Sequence, residues 1–435
     1  MNIALVSGLI ILVVLLALLV AGVPIAISIA ISSLCGILPV LATGPALLTS
    51  AQRIFSGISV FSLLAIPFFI LAGNIMNKGG IAVRLINLAK LLTGNTTGYL
   101  AQTNAVANML FGAISGSGTA AASAMGSIIG PIEKDEGYNA EYSAAANIAT
   151  APTGLLIPPS NVMITYALVS GGTSISALFL AGYIPGIMWG AACMIVAYFM
   201  AKKLGYKNKA AKLSGKEKLA VTMQAIPALL MIVIVIGGII GGIFTATEGS
   251  VVAVVYSLIL SLIYGTIKPS DIPKILIDSA EMSGIILFLI GVSTIMSWVM
   301  AFTNIPAAVS NMLLAAFHSK YVILLIINII LLVVGTFMDM TPAVLIFTPI
   351  FLPICTQLGM DSIHFGIMLI MNLCIGTITP PVGTTLFVGV KVGGTTIEGV
   401  IRPLLKYFAA ILIVLLLITY FPFFSTCLPK AAGLM

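Results

Sequence analysis

Gly154-Leu155-Leu156-Ile157-Pro158-Pro159 and, 222 residues further on, Gly376-Thr377-Ile378-Thr379-Pro380-Pro381 are two copies of one device set into apolar sequence. A proline pair inside an apolar stretch removes backbone donors and frees carbonyls of the preceding turn. The glycine lets the unwound backbone take conformations closed to other residues. Such irregular chain is tolerated at membrane depth only where protein or a watery cavity covers it. Two further blocks keep nearly the same offset. Ile66-Pro67-Phe68-Phe69-Ile70…Ile75-Met76 aligns with Ile286-Leu287-Phe288-Leu289-Ile290…Ile295-Met296 at 220, and Gly112-Ala113-Ile114-Ser115 with Gly335-Thr336-Phe337-Met338 at 223. Three blocks in one order at one spacing mark an internal duplication, which simple proline kinks would not produce.

The chain around these blocks is 60% hydrophobic and 7% charged, with a mean hydropathy of +1.21. A soluble domain carries about a quarter of its residues charged, so lipid is the solvent here. Apolar stretches reach twenty residues, the length a helix needs to cross ~30 Å of hydrocarbon. Nothing alternates as barrel strands do. The fold class is therefore an all-α polytopic membrane protein. Met1–Val20 lacks a basic leader and a small-residue cleavage site, and reads as a retained span. The five cysteines stand singly, which argues against a disulfide framework or a metal cluster. The net charge of +7 is not a nucleic-acid signal, because seven lysines fall within 202–218. By the positive-inside rule that stretch is cytoplasmic.

The basic linker 202–219 sits near the midpoint and divides the chain into a first repeat, 1–201, and a second, 220–425. Spans are expected near 3–21, 23–42, 56–76, 140–166 and 176–201, then near 220–243, 245–267, 281–302, 361–390 and 396–422. Each half also holds an apolar stretch broken by small or polar residues, 97–130 and 320–357, which reads as a re-entrant hairpin. Five spans is an odd number, so the second half must be inverted relative to the first. Charge agrees. Stretch 77–92 carries Lys78, Arg84 and Lys90 and no acid, as a cytoplasmic arm should, whereas 302–317 carries no charge. The charged loops 131–141 and 268–281 fall on the cytoplasmic side.

Paired hairpins and paired breaks in inverted halves point to a transporter site. Free carbonyls with a hydroxyl or two make a hard-oxygen nest suited to Na⁺, and half-helix N-termini suit a carboxylate. Segments 112–119 with 154–160, and 335–341 with 376–385, should converge on two ion sites with the solute between them. Ser117, Thr119, Ser160, Asp339, Thr341 and Thr384 are the candidates for solute contact. Asp339 is the one acid expected near membrane depth, as a charge balance or a helix cap. Glu248 reads as a capping residue at the start of the seventh span. His318 and His364 are expected at the interface, Trp189 and Trp298 in belts or packing. A hydrolase reading of Ser115-Gly116-Ser117-Gly118 fails for want of a base, and an aspartyl mechanism for want of a second carboxylate.

Several stretches resemble the large membrane subunit of tripartite ATP-independent periplasmic (TRAP) transporters. They are Gly112-Ala-Ile-Ser-Gly-Ser-Gly-Thr-Ala120, Leu156-Ile-Pro-Pro-Ser160, Gly242-Ile-Phe-Thr-Ala-Thr-Glu248, Phe337-Met-Asp-Met-Thr-Pro342 and Gly376-Thr-Ile-Thr-Pro-Pro-Val-Gly383. The resemblance spans essentially the whole chain. It implies an Na⁺-driven elevator of the ion-transporter superfamily in the bacterial inner membrane, importing a small carboxylate handed over by a periplasmic binding protein. It implies a separate four-helix membrane subunit that enlarges a fixed scaffold, expected from 3–42, 176–201, 220–267 and 396–422, and keeps the chain monomeric. One Na⁺ site would use Ser115 with backbone around Gly112, Gly154, Ile157 and Pro158. The other would use backbone at Gly335 and Gly376, the Thr379 hydroxyl and backbone near Val382. A free-standing Na⁺/dicarboxylate symporter is the alternative. The solute stays open among C4-dicarboxylates, sialic acid, sugar acids and keto acids, since no arginine falls at hairpin depth.

Overall fold

The computed structural model describes residues 3–206 and 214–435, so Lys207, Lys209 and Lys212 of the basic linker lie outside the described residues. Helices account for the architecture, and there is no strand among the described residues. The chain opens with α1 (Ile3–Val20), α2 (Ile25–Ile37), α3 (Thr43–Ile58), α4 (Ala65–Lys78) and α5 (Ile81–Thr93). A hairpin of α6 (Tyr99–Ser115) and α7 (Gly118–Asp135) follows, then α8 (Ala140–Thr150), the single turn α9 (Thr153–Leu156), α10 (Asn161–Val169) and the long α11 (Ile175–Lys203). Beyond the linker come α12 (Gly215–Ile240), α13 (Ala246–Ile263), α14 (Ile272–Phe302) and α15 (Ile305–Ala316). A second hairpin of α16 (Lys320–Phe337) and α17 (Met340–Gln357) precedes α18 (Ser362–Thr377), α19 (Thr384–Val392), α20 (Ile397–Tyr420) and α21 (Phe423–Ala431). The starts of α7, α8 and α11 precede those of α17, α18 and α20 by 222 residues each. Nine helices among the described residues are long and apolar enough to cross a membrane.

Four expectations change. The span near 23–42 is only the thirteen-residue α2, about 20 Å long and too short to cross alone. It is followed by α3, an amphipathic helix that buries Ala46 and Ser50 and leaves Leu47, Leu48 and Phe55 exposed. Spans 140–166 and 361–390 are each two half-helices, broken at the Pro-Pro segments. Loops 131–141 and 268–281 are largely helical, because α7 runs on to Asp135 and α14 begins at Ile272. Finally, α11 and α20 do not stand with the outer helices. They pack on each other and against α8, α18 and, for α11, α6 and α9. Glycines explain the fit of α11: Gly182 lies against the Leu156 carbonyl, Gly186 against Ile157 and Gly190 against Met109. Small residues at four-residue spacing let backbones approach closely where lipid supplies no hydrophobic drive.

Two main cores result. The larger gathers both hairpins with α8, α10, α11, α18 and α20 and continues into α4, α5, α12 and α13, and the smaller gathers α1 and α2 against α14. Trp189 is fully buried, its indole donating to the Ala149 carbonyl at 2.8 Å. His364, near the start of α18, is buried too, with Nδ1 2.5 Å from Ser425 Oγ and Nε2 3.3 Å from the Thr419 carbonyl. Glu248 closes a capping box with Thr245, as its position after Thr245 predicts.

Candidate functional site

The first half-site is built where α6 crosses the break between α8 and α10. Gly112 and Gly154 meet backbone to backbone, so that a methyl on either would fall within 3.0 Å of the other's main chain. Four residues after Gly112, Gly116 turns the chain in the left-handed region (φ 58°) and ends α6. Ser117 then caps α7, its Oγ accepting from the Ala120 amide at 3.3 Å and lying 3.1 Å from the Thr119 hydroxyl. Behind this tip run Ile157, Pro158, Pro159 and Ser160, all buried. The Pro159 carbonyl faces Gly116, where an added Cβ would lie 3.2 Å from it. Ser160 Oγ and Asn161 Oδ1 are buried with no hydrogen-bond partner. Orphaned oxygens beside a freed carbonyl and the buried Ser115 are the donor set a hard cation accepts.

The second half-site repeats the crossing with other residues. Gly335 and Gly376 meet backbone to backbone. The tip contains no glycine: Met338 is extended and Asp339 is the N-cap of α17. Its carboxylate faces the Met340 amide and the Thr384 hydroxyl. The Pro-Pro segment is tied to the hairpin by Val382 N–H donating to the Thr336 carbonyl at 3.2 Å. Thr379 Oγ1 donates to the Ile375 carbonyl at 2.6 Å, leaving its lone pairs for a cation. The carbonyls of Thr377 and Thr379 converge on Gly383, 3.1 Å and 2.8 Å from where a Cβ would stand. Both Pro-Pro bonds, 158–159 and 380–381, are cis.

The two half-sites adjoin, with Gly118 of the first tip against Thr385 of the second. Between them and a wall of α4 and α14 lies a cavity of about 320 Å³. Of the predicted site residues, Ser115, Ser117, Thr119, Asp339, Thr341 and Thr384 line it. Ser160 does not; it is buried behind the first tip. Gly112, Gly154, Ile157, Pro158, Gly335, Gly376, Thr379 and Val382 belong to the crossings and their loops, outside the cavity lining. Thr377 and Thr385 of the expected segment 376–385 also line the cavity, as do Asn74, Asn77, Asn161 and Asp278, which escaped the sequence reading. Asn74 joins the two wall helices by donating to Ser279 Oγ at 2.8 Å. Their signal was polarity within apolar runs. Asp278, exposed near the start of α14, is a second acid on the cavity beside Asp339, and no Lys, Arg or His lines the cavity among the described residues.

Two half-helix breaks, two hairpin tips and one shared cavity inside a bundle of membrane helices define a permease of the secondary-transporter class, and not an enzyme. The family profile of the tripartite ATP-independent periplasmic transporter DctM component matches residues 12–424. The chain belongs to that family, as a multi-pass protein of the bacterial inner membrane. It is 52% identical over 411 residues to the protein YgiK of Salmonella typhimurium, covering 94% of each chain. It is 36% identical to the C4-dicarboxylate TRAP transporter large permease protein DctM of Rhodobacter capsulatus, covering 98% of this chain and 100% of that one. It is also 36% identical to the sialic acid TRAP transporter large permease protein SiaM of Vibrio cholerae, covering 95% and 96%. The YdaH transporter of Alcanivorax borkumensis shares the fold at 14% identity, with a TM-score of 0.68 over 89% of this chain and 90% of that one.

Proposed function

We propose that this chain is the large subunit of an Na⁺-coupled TRAP transporter that imports a small organic acid by an elevator movement. One observation carries the reading: two glycine crossings with freed carbonyls and hydroxyls flank one cavity that is lined by two carboxylates and, among the described residues, by no Lys, Arg or His. An organic anion alone would meet only repulsion from Asp278 and Asp339. Each Na⁺ held at a crossing offsets one negative charge, and at a few ångströms in a partly dry site that is worth several kcal/mol. Solute binding and ion binding are thereby tied together. Ser115 with the Gly112, Gly154, Ile157 and Pro158 backbone would hold one ion, joined by Ser160 and Asn161. Gly335, Gly376, Thr379 and the backbone near Val382 would hold the other.

Residues 1–201 and 220–425 act as inverted repeats about the basic linker, with that linker and the arm α5 cytoplasmic. The cavity then opens toward the cytoplasm, where Asn77 and Asp278 stand. The moving body gathers the two hairpins with α8, α10, α11, α18 and α20, and the fixed body includes α1, α2 and α12 to α14, enlarged by a separate four-helix subunit. Two relatives with different solutes in their names stand at the same 36% identity, so similarity does not choose the solute. A thermal-shift screen of the cognate periplasmic binding protein supplies it. Proteoliposomes holding this chain and its small subunit should then take up that solute only with the binding protein outside and an inward Na⁺ gradient. Equal uptake with K⁺ in place of Na⁺ would sink the coupling; uptake without the binding protein would point to a free-standing symporter.

A further inference from the structure

At the base of the first hairpin, away from the cavity, the last turn of α7 carries Glu133. It is 2% exposed and, His364 aside, the one acidic or basic side chain that is buried among the described residues. Ser143 of α8 stands beside its carboxyl without closing a hydrogen bond, and Tyr142 of α8 and Tyr407 of α20 are near enough to feel its charge. Glu133 Oε1, Ser143 Oγ and Tyr407 Oη are all buried, and none has a hydrogen-bond partner. Buried polar atoms are nearly always paired, and of these three only the carboxyl oxygen has no hydrogen of its own when ionised, so it is the atom that burial leaves without a counterpart.

A carboxylate there would be an uncompensated buried charge, and such a group neutralises itself when it can. The basic residues of the surrounding elements do not answer it. Lys134 of α7, Lys391 of α19 and Lys406 of α20 are exposed, and Lys90 of α5 stands over the Tyr99 ring, 5.8 Å from its centroid. The remaining titratable neighbours are acidic or weakly so. Glu136 accepts from the Tyr99 hydroxyl, Tyr138 follows α7, Glu141 of α8 faces Gly399 of α20, and Cys193 of α11 lies near Tyr407.

We propose that Glu133 is a proton-binding site, its buried carboxyl holding a proton while the hairpin base is packed. Glu136, one turn on and half-buried, connects it to the aqueous face. That this face is the cytoplasm rests on the topology proposed above; the proton site does not. Burial pushes the carboxyl up to about 8, Glu136 adding to the rise and Ser143 opposing it. The unfolded chain gives up this proton near 4.5 and the folded chain near 8, so the group withdraws stability as pH rises between those values and no further above them.

The test needs no solute. Thermal unfolding of the full chain in detergent is followed from about pH 5 to 9, in wild type and Glu133→Gln. The wild type should lose several degrees across the range, at about 2 to 4 °C per kcal/mol. Glu133→Gln should lose less and should melt above wild type at the alkaline end. Parallel slopes overturn the proposal. Should Glu133→Gln fail to fold, infrared spectra decide. The wild type and an Asp339→Asn variant must both show a carboxylic-acid band that titrates near pH 8, and its absence from either overturns the assignment.

Discussion

The Gly112–Gly154 and Gly335–Gly376 crossings solve one backbone problem with different surroundings. At the first, the tip turns on Gly116, Ser117 caps the helix it starts, and Ile157 to Ser160 are sealed inside protein. At the second, the tip has no glycine and no side-chain cap, and its Pro-Pro loop reaches the surface, with Val382 42% exposed. The close contact itself is also unequal. A methyl on Gly112, Gly154 or Gly376 would drive into backbone, whereas one on Gly335 would stand 3.1 Å from the Gly376 Cα. What the halves share is main chain: glycine, carbonyl and break. What they do not share is how firmly the surroundings hold it. A cation site made mostly of carbonyls needs only the former, so on the proposed function the two crossings would bind the same ion while differing in access.

The largest effect should come from filling the crossings. Gly154→Ala has backbone on its far side that cannot yield, and should cost at least about 3 kcal/mol, removing folded protein. Gly335→Ala asks its neighbour for a few tenths of an ångström and should cost about 1 kcal/mol. Denaturation midpoints of the two variants check this, and equal losses would erase the asymmetry. A smaller effect is expected from the hydroxyls. Ser115→Ala should raise the Na⁺ needed for half-maximal uptake on the order of tenfold, as loss of one ligand worth about 1.4 kcal/mol does. Thr379→Val should raise it as well, because that hydroxyl gives its proton to Ile375 and keeps its lone pairs for the ion. Unchanged Na⁺ titrations in both would dismiss the ligand assignment. The smallest perturbation is a probe. On a background lacking the five native cysteines, Val382→Cys should react with a water-soluble thiol reagent and Ser160→Cys should not. Equal labelling would show the first break to be as open as the second.

Much of this was legible in the sequence for a physical reason. Glycine and proline act through the backbone, which is what the duplication preserves, so Gly154, Pro158, Gly376 and Pro380 announced both breaks and both hairpins. The cavity wall was harder to read. Lys274, Asp278 and Glu281 look like a charged loop, but they recur at four and three residues and so share one face of α14, a water-facing stripe on an apolar helix. α3 stayed hidden because its apolar residues occupy one side only, and no hydropathy window sees half a helix. Asn161 was a single amide after a proline pair, and only the fold brings it beside Gly116. Placing α11 and α20 with the outer helices failed because both are as apolar as lipid-facing spans. The distinguishing mark was the stripe Gly182, Gly186 and Gly190.

The length of α14 has an electrical consequence. Thirty-one residues make a helix about 46 Å long, well beyond ~30 Å of hydrocarbon, and its first turns carry Asp278 into the cavity mouth. Water that follows those turns inward brings the potential of one bulk phase with it. On the proposed topology, the transmembrane voltage then falls across the thin layer of protein between the cavity floor and the outer face. An ion crossing that layer senses nearly the whole drop, worth about 2.3 kcal/mol per charge at 100 mV. On the proposed coupling, membrane voltage would join concentration as a driving force wherever the ions carried outnumber the negative charges of the solute.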